Sequence, residues 1–207
     1  MSQISEKLGY PVTCVGVPKT VDNDLAVTDC CPGFGSVAKY VATSIREAGF
    51  DVASMARTST KVFVLEVMGR HAGYIALGTA YGQPDIILVP ESRLDTDRLV
   101  ERVRHLYELQ KNVVIVCGEG VVDEEGRELG AQSSSTDPAG NVALSGVATA
   151  LRERLIERLG DAYFRAYRRG TSAAEAIFTR KVGHTQRGGR PVLFDRFYAA
   201  LLGAQAV

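Results

Sequence analysis

Short continuous apolar runs alternate along this chain with stretches whose apolar residues recur every three or four positions. Val12–Val17 reads as a first strand ending at Pro18. Val37, Tyr40, Val41, Ser44, Ile45 and Ala48 recur at helical spacing, predicting a helix over 35–49 that Gly49 stops. Lys61–Met68 is the next strand, and its unbroken apolar stretch suits a strand covered on both faces. A helix of small residues over 71–82 and a strand over Asp85–Pro90 follow. Asp95 or Thr96 caps a helix with Leu99, Val103, Leu106 and Leu109 on one face. Asn112–Cys117 is a fourth strand. Residues 122–140 turn charged, then rich in Ser, Asp, Pro and Gly, and predict a mobile loop. A helix over 142–159 carries the stripe Val147, Leu151, Leu155, Leu159, and a last helix spans 191–205 with Pro191 in its first turn. No internal repeat or coiled coil is present. Strand–helix alternation of this kind predicts an α/β fold on a parallel sheet, whose ligands bind at the carboxyl ends of the strands.

Composition narrows this picture. At about 150 residues per domain, 207 residues make one large domain or two small ones. A hydrophobic content of 45% is enough for a core and excludes a disordered chain. Twenty-four basic and 24 acidic residues cancel, so net charge gives no argument for nucleic acid or an anionic membrane. No apolar run approaches a membrane span, and the first residues lack the layout of a signal peptide. Cys14, Cys30, Cys31 and Cys117 have no metal-type spacing and read as free thiols of a reducing cytoplasm.

The residues after each strand carry the chemistry. Gly16-Val-Pro-Lys-Thr-Val-Asp-Asn-Asp24 places Asp22 and Asp24 two apart, so in an extended loop both project from one side. Such a pair suits a proton acceptor and a divalent-metal ligand, with Lys19 and Thr20 beside them for phosphate. The same composition also makes an ordinary solvated turn. Glu66-Val-Met-Gly-Arg-His-Ala-Gly73 puts Arg70 between glycines that permit close approach of a ligand, or makes a plain strand-to-helix turn. Glu119 lies between Gly118 and Gly120, where it can accept sugar hydroxyls or be an ordinary loop residue. Residues 180–190 pack four Arg or Lys, one His and three Gly into eleven positions, a phosphate site more than a surface turn. His105 falls on the exposed side of a helix, and His71 suits a turn cap.

Together these segments resemble the 6-phosphofructokinase family, in the branch that uses pyrophosphate. The resemblance rests on Pro18-Lys-Thr-Val-Asp-Asn-Asp24, Glu66-Val-Met-Gly-Arg-His-Ala-Gly73, Pro90-Glu91, Gly118-Glu-Gly120 and Gly183-His-Thr-Gln-Arg-Gly-Gly189, in the family's order, from about residue 5 onward. It implies a parallel-sheet, Rossmann-like phosphofructokinase fold: one nearly complete α/β domain and pieces of a second. Residues 1–58 would finish the donor-side domain, 59–188 form the sugar-phosphate-binding domain, and 189–207 return toward the first. It implies Asp22 as general base on the sugar 1-hydroxyl, Asp24 holding Mg²⁺, and Thr20 touching a phosphate. Met68, Gly69 and Arg70 would line the fructose 6-phosphate site, with Arg70 also near the transferred phosphoryl. Glu119 would bind sugar hydroxyls, and His184 and Arg187 the 6-phosphate.

Lys19 stands where ATP-using members usually have Gly. It implies pyrophosphate as donor and obstructs the nucleoside of ATP. Lys61 stands where many members have an Arg reaching into the neighbouring subunit, which implies a homo-oligomer with shared sites. Phe178 falls where the family has a further Arg, with Arg180 nearby as a substitute. The family's upstream donor loops are not in this sequence, so a fragment with exposed apolar edges around 1–50 and 190–207 is expected. The reading is a cytoplasmic, pyrophosphate-dependent phosphotransferase of glycolysis. Two alternatives stay open: an ATP-dependent 6-phosphofructokinase, or a non-catalytic sugar-phosphate-binding fragment or regulatory subunit.

Overall fold

The computed structural model describes residues 2–10, 12–136, 142–144 and 146–207. Its centre is a four-stranded parallel sheet in the order β2–β3–β1–β6, with β1 Val62–Val67, β2 Ile86–Leu88, β3 Val113–Gly118 and β6 Ile177–Lys181. Val64 pairs with Ile115 on one side and Thr179 on the other. All six residues of β1 and of β3 are buried, which is why their sequences are continuous apolar runs.

Side chains alternate along a strand, so the two faces take different partners. Val62, Val64, Val113 and Ile115 pack against α4 (Thr96–Gln110) and α5 (Val147–Tyr167) through Val103, Tyr107, Leu151 and Leu155. Phe63, Leu65, Val114 and Val116 pack on the other face against α2 (Phe34–Met55) and α3 (Tyr74–Gly78) through Val37, Val41, Ile45 and Ile75. The fold is therefore the three-layer α/β arrangement the alternation predicts. Short helices α1 (Ser2–Lys7) and α6 (Ala173–Ala176), and the antiparallel pair β4 (Ala131–Thr136) and β5 (Val142–Leu144), complete the chain before α7 (Leu193–Gln205). Among the described residues, no helix is long and apolar enough to cross a membrane.

Several expectations are corrected. Val12–Val17 is not a strand: among the described residues nothing pairs with it, and Val12, Val15 and Val17 are exposed. Helix α2 runs through Gly49 to Met55, because Val52 continues its buried stripe. The 71–82 helix is α3 followed by a 3₁₀ turn over Thr79–Gly82. Asp95 does cap α4, accepting the amide of Arg98 at 2.9 Å, but Leu109 lies outside the buried stripe. The loop over 122–140 contains β4, and residues 137–140 lie outside those described. The 142–159 helix begins only at Val147, after β5, and continues to Tyr167 across a break at Gly160. Pro191 precedes α7 rather than opening it. Strand β6 was not anticipated, because as a sheet edge it carries Thr179, Arg180 and Lys181 among its five residues.

Candidate active site

Two connections that leave the carboxyl end of the sheet meet a third that follows no strand. After β1, the turn 68–73 is held by one buried carboxylate. Glu119 Oε1 accepts the amides of Gly69 at 3.1 Å and Arg70 at 2.9 Å. Glu119 is 4% exposed and lies just beyond β3. Gly69 has φ 148°, and a Cβ there would come within 2.7 Å of Ala72 O. Arg70 itself sits at φ 49°, a left-handed conformation few arginines adopt. The turn closes on Glu91, whose Oε1 accepts the Gly73 amide at 2.7 Å.

The basic loop forms a 3₁₀ turn, Gly183–Arg187, directly after β6. Gln186 is 2% exposed, and its Oε1 accepts the Met68 amide at 3.1 Å. Its Nε2 is buried with no partner among the described residues. Arg187 turns toward the third connection: its Nη2 donates to Asp22 Oδ1 at 2.8 Å and Oδ2 at 3.1 Å, and its Nε faces Met68 Sδ at 3.5 Å.

The loop 18–24 pairs with no strand among the described residues. Val21 packs against the apolar cluster on the α2 side of the sheet, and polar pegs hold the rest. Asn23, at φ 58°, accepts the Cys31 amide at 2.7 Å and donates to Asp29 O at 3.2 Å. The Asp22 amide donates to Thr20 Oγ1 at 3.2 Å. Below it, α7 is tied to the start of α2. Asp195 Oδ2 accepts the Ser36 amide at 2.6 Å and also the Ser36 hydroxyl, while that hydroxyl accepts from Val192 N.

The structure thus brings together Thr20, Asp22, Met68, Gly69, Arg70, Glu119 and Arg187. Lys19 and Asp24 are exposed on the same loop, and His184 is exposed on the same 3₁₀ turn as Arg187. Lys61 does not join the site of its own chain. It precedes β1, about 20 Å of strand away from Met68, and its ammonium donates to Ala56 O. Burial, with Arg168 adding repulsion, holds that ammonium below the usual lysine range. Glu66 turns to the opposite side and accepts the amides of Gly146 and Ala148 at the start of α5, both at 3.1 Å. His71 reaches Glu128 at 3.2 Å. All four cysteines are free thiols. A groove of about 720 Å³ between α2 and β6, lined by Ser44, Phe63, Phe178 and Arg180, holds Arg180 from the basic segment but none of Asp22, Arg70, Glu119 and Arg187. Sequence reasoning missed Gln186 and Asn23 as the pegs of these loops. Gln186 lay in view between His184 and Arg187, but nothing in a sequence marks which amide turns inward.

Fold and site define a class: an α/β protein with a glycine-lined, arginine-bearing cluster of loops at the carboxyl end of a parallel sheet. The family model described as "PFK: Phosphofructokinase" matches residues 1–207, and the chain belongs to that family. It is similar to the pyrophosphate–fructose 6-phosphate 1-phosphotransferase of Xanthomonas campestris pv. campestris, with 48% identity over 166 residues, 77% of this chain and 40% of that protein. The enzyme of the same name from Methylococcus capsulatus is 50% identical over 169 residues, 79% of this chain and 40% of that protein. The crystal structure of a pyrophosphate-dependent phosphofructokinase from Marinobacter aquaeolei superposes with a TM-score of 0.76 at 39% identity, covering 100% of this chain and 46% of that one. The chain spans less than half the length of these relatives.

Proposed function

We propose that these residues supply the acceptor side of a phosphotransferase that makes fructose 1,6-bisphosphate from fructose 6-phosphate, with pyrophosphate as donor. The observation that carries this reading is the meeting of Asp22 and Arg187 against the Gly69–Arg70 turn. A carboxylate, a guanidinium and a closely approachable backbone are what a phosphorylated sugar and its reacting hydroxyl require. Asp22 accepts the proton of the 1-hydroxyl as attack on the donor begins. Met68, Gly69 and Arg70 line the sugar, and Arg70 and Lys19 offset charge on the transferring group. Arg187 and His184 hold the 6-phosphate, and Thr20 touches a phosphate oxygen. Glu119 spends Oε1 on two amides, leaving Oε2 for a sugar hydroxyl.

Among the described residues no cluster of three metal-type ligands exists. Asp24, exposed beside Asp22, still fits magnesium, which binds through one or two carboxylates together with substrate phosphates. Bound there, Mg²⁺ would supply positive charge against the transferring phosphoryl. A homo-oligomer belongs to the proposal without Lys61, which is 2% exposed and spends its ammonium on Ala56 O of its own chain. The division into donor-side residues 1–58, sugar-phosphate-binding residues 59–188 and a returning segment 189–207 belongs to this proposal, as does a cytoplasmic location. The relatives named for pyrophosphate support that donor over ATP, as Lys19 does.

The test is titration of the chain with fructose 6-phosphate, then assay of fructose 1,6-bisphosphate formation with Mg²⁺ and either pyrophosphate or ATP. Saturable binding, and faster turnover with pyrophosphate, are expected. Faster turnover with ATP overturns the donor assignment. Binding without turnover with either donor decides for a sugar-phosphate-binding role of this chain, and absence of binding overturns the whole reading. Where turnover occurs, Asp22→Ser should lower it about 10²–10⁴-fold without weakening sugar binding; equal loss of both would remove Asp22 as the base.

A further inference from the structure

Asp22 and Arg187 are each engaged in a contact that competes with the role proposed for it. To accept a hydroxyl proton, Asp22 needs a free lone pair facing the sugar. To hold a phosphate, Arg187 needs its N–H donors free. In the structure one nitrogen, Arg187 Nη2, bridges both carboxylate oxygens at 2.8 and 3.1 Å. Asp22 is 6% exposed, and Arg187 is the one cation paired with it among the described residues. The second donor of Arg187, Nε, is placed against the Met68 thioether at 3.5 Å, a weak acceptor that is cheap to leave. The backbone of the turn is pinned through Gln186 to Met68, so a change of partner needs only the side chain of Arg187 to swing.

We propose that Arg187 is the resting partner of Asp22, and that a phosphoryl group arriving at the site takes the guanidinium and releases the carboxylate. This rests on the function proposed above. A phosphate carries more charge and more acceptor oxygens than a carboxylate, so it wins the guanidinium once seated. The base is then unmasked only in a loaded site. Without that phosphoryl group, the Asp22 carboxylate stays neutralised by the guanidinium and is a weaker base. The phosphoryl group is carried by the sugar phosphate or by pyrophosphate, and the two are separated by experiment.

The chain, its Asp22→Asn and Arg187→Gln variants and the double variant are titrated with fructose 6-phosphate, pyrophosphate and inorganic phosphate. Asp22→Asn should tighten binding of the triggering ligand about threefold to tenfold, since Arg187 is no longer held. In the Arg187→Gln background the same change should give no gain. Tightening for fructose 6-phosphate alone makes the sugar phosphate the trigger, and tightening for pyrophosphate alone makes it the donor. Unchanged or weaker binding of every ligand by Asp22→Asn overturns the exchange. A gain that persists without Arg187 also overturns it, because simple repulsion by Asp22 would then be the cause. If fructose 6-phosphate fails to bind while pyrophosphate or phosphate still shows the Arg187-dependent gain, the sugar reading fails and the exchange stands. As a check free of substitution, the Asp22 carboxyl ¹³C resonance should move on ligand saturation; an unmoved resonance overturns the exchange.

Discussion

Two stretches that meet at the site both begin as apolar runs, Val12–Val17 and Lys61–Met68, yet only the second contains a strand. Residues 62–67 find a strand on each side and a helical layer on each face. Residues 12–17 have none of these among the described residues, and their valines stay exposed. An apolar run states what a segment can bury, while the sheet ladder requires a neighbour to share its hydrogen bonds. The consequence reaches the site. The turn after β1 continues a strand, and buried side chains and close backbone contacts hold it, whereas the loop bearing Asp22 follows no strand and is placed by Val21 and a few side-chain hydrogen bonds. The first should therefore fail globally when damaged, and the second locally.

The largest test of that contrast is Gly120→Ala. A Cβ at Gly120 would overlap the carbonyl oxygen of Arg70 and sit 3.3 Å from His71 Cα. Both obstacles are backbone, so neither can rotate away. Overpacking of this kind costs about 1–3 kcal/mol, and more where backbone must shift. The expected result is a lower urea midpoint together with weakened fructose 6-phosphate binding. A variant of unchanged midpoint would mean that the 69–73 turn is as loosely held as the loop opposite.

The strands β1, β2 and β3, α4 and the α5 stripe were legible because each carries its own burial pattern. Leu151, Leu155 and Leu159 face the core as their spacing requires. The site was legible as motifs, since Asp22, Gly69, Arg70, Glu119 and Arg187 lie in short glycine-rich segments. What could not be read was pairing. That Glu119 spends an oxygen on two amides, or that Arg187 faces Asp22 across 165 positions, is a tertiary fact. Strand β6 was missed for a related reason: an edge strand with one covered side keeps polar residues and loses the signal of the buried strands.

A smaller, local effect is expected from Asn23→Ala. The substitution removes the hydrogen bonds to Cys31 N and Asp29 O, and puts alanine at φ 58°. Lost hydrogen bonds of this kind contribute about 0.5–1.5 kcal/mol each, and alanine lacks the local hydrogen bonding that makes the left-handed conformation tolerable for asparagine. Faster amide exchange should appear over residues 20–31 and leave Val62–Val67 protected. Asn23→Gly, which tolerates the conformation, should lose less. Equal acceleration in β1 would show that the two regions unfold together and that the contrast is false.

The smallest effect sharpens the contrast with a third case, a polar turn that has a local partner. Val122 bridges Glu128, and inside that turn Asp123 Oδ1 accepts the amides of Glu125 at 3.1 Å and Arg127 at 2.8 Å. Its Oδ2 accepts from Arg127 Nε at 3.0 Å. The Arg127 amide, helped by its guanidinium and opposed by burial, holds the Asp123 carboxyl below its ordinary value of 3.8. On acidification the unfolded chain takes up this proton before the folded one. The stabilisation from Asp123 is therefore complete above the ordinary value and is lost as pH falls through the lowered one. Asp123→Asn should lower the denaturation midpoint near neutral pH, by less than either change above. The gap to the parent chain should close as pH falls below about 4. A gap constant from neutral to acidic pH would place its origin in packing. This turn would then resemble the backbone-fixed 69–73 segment rather than the pegged loop of Asp22.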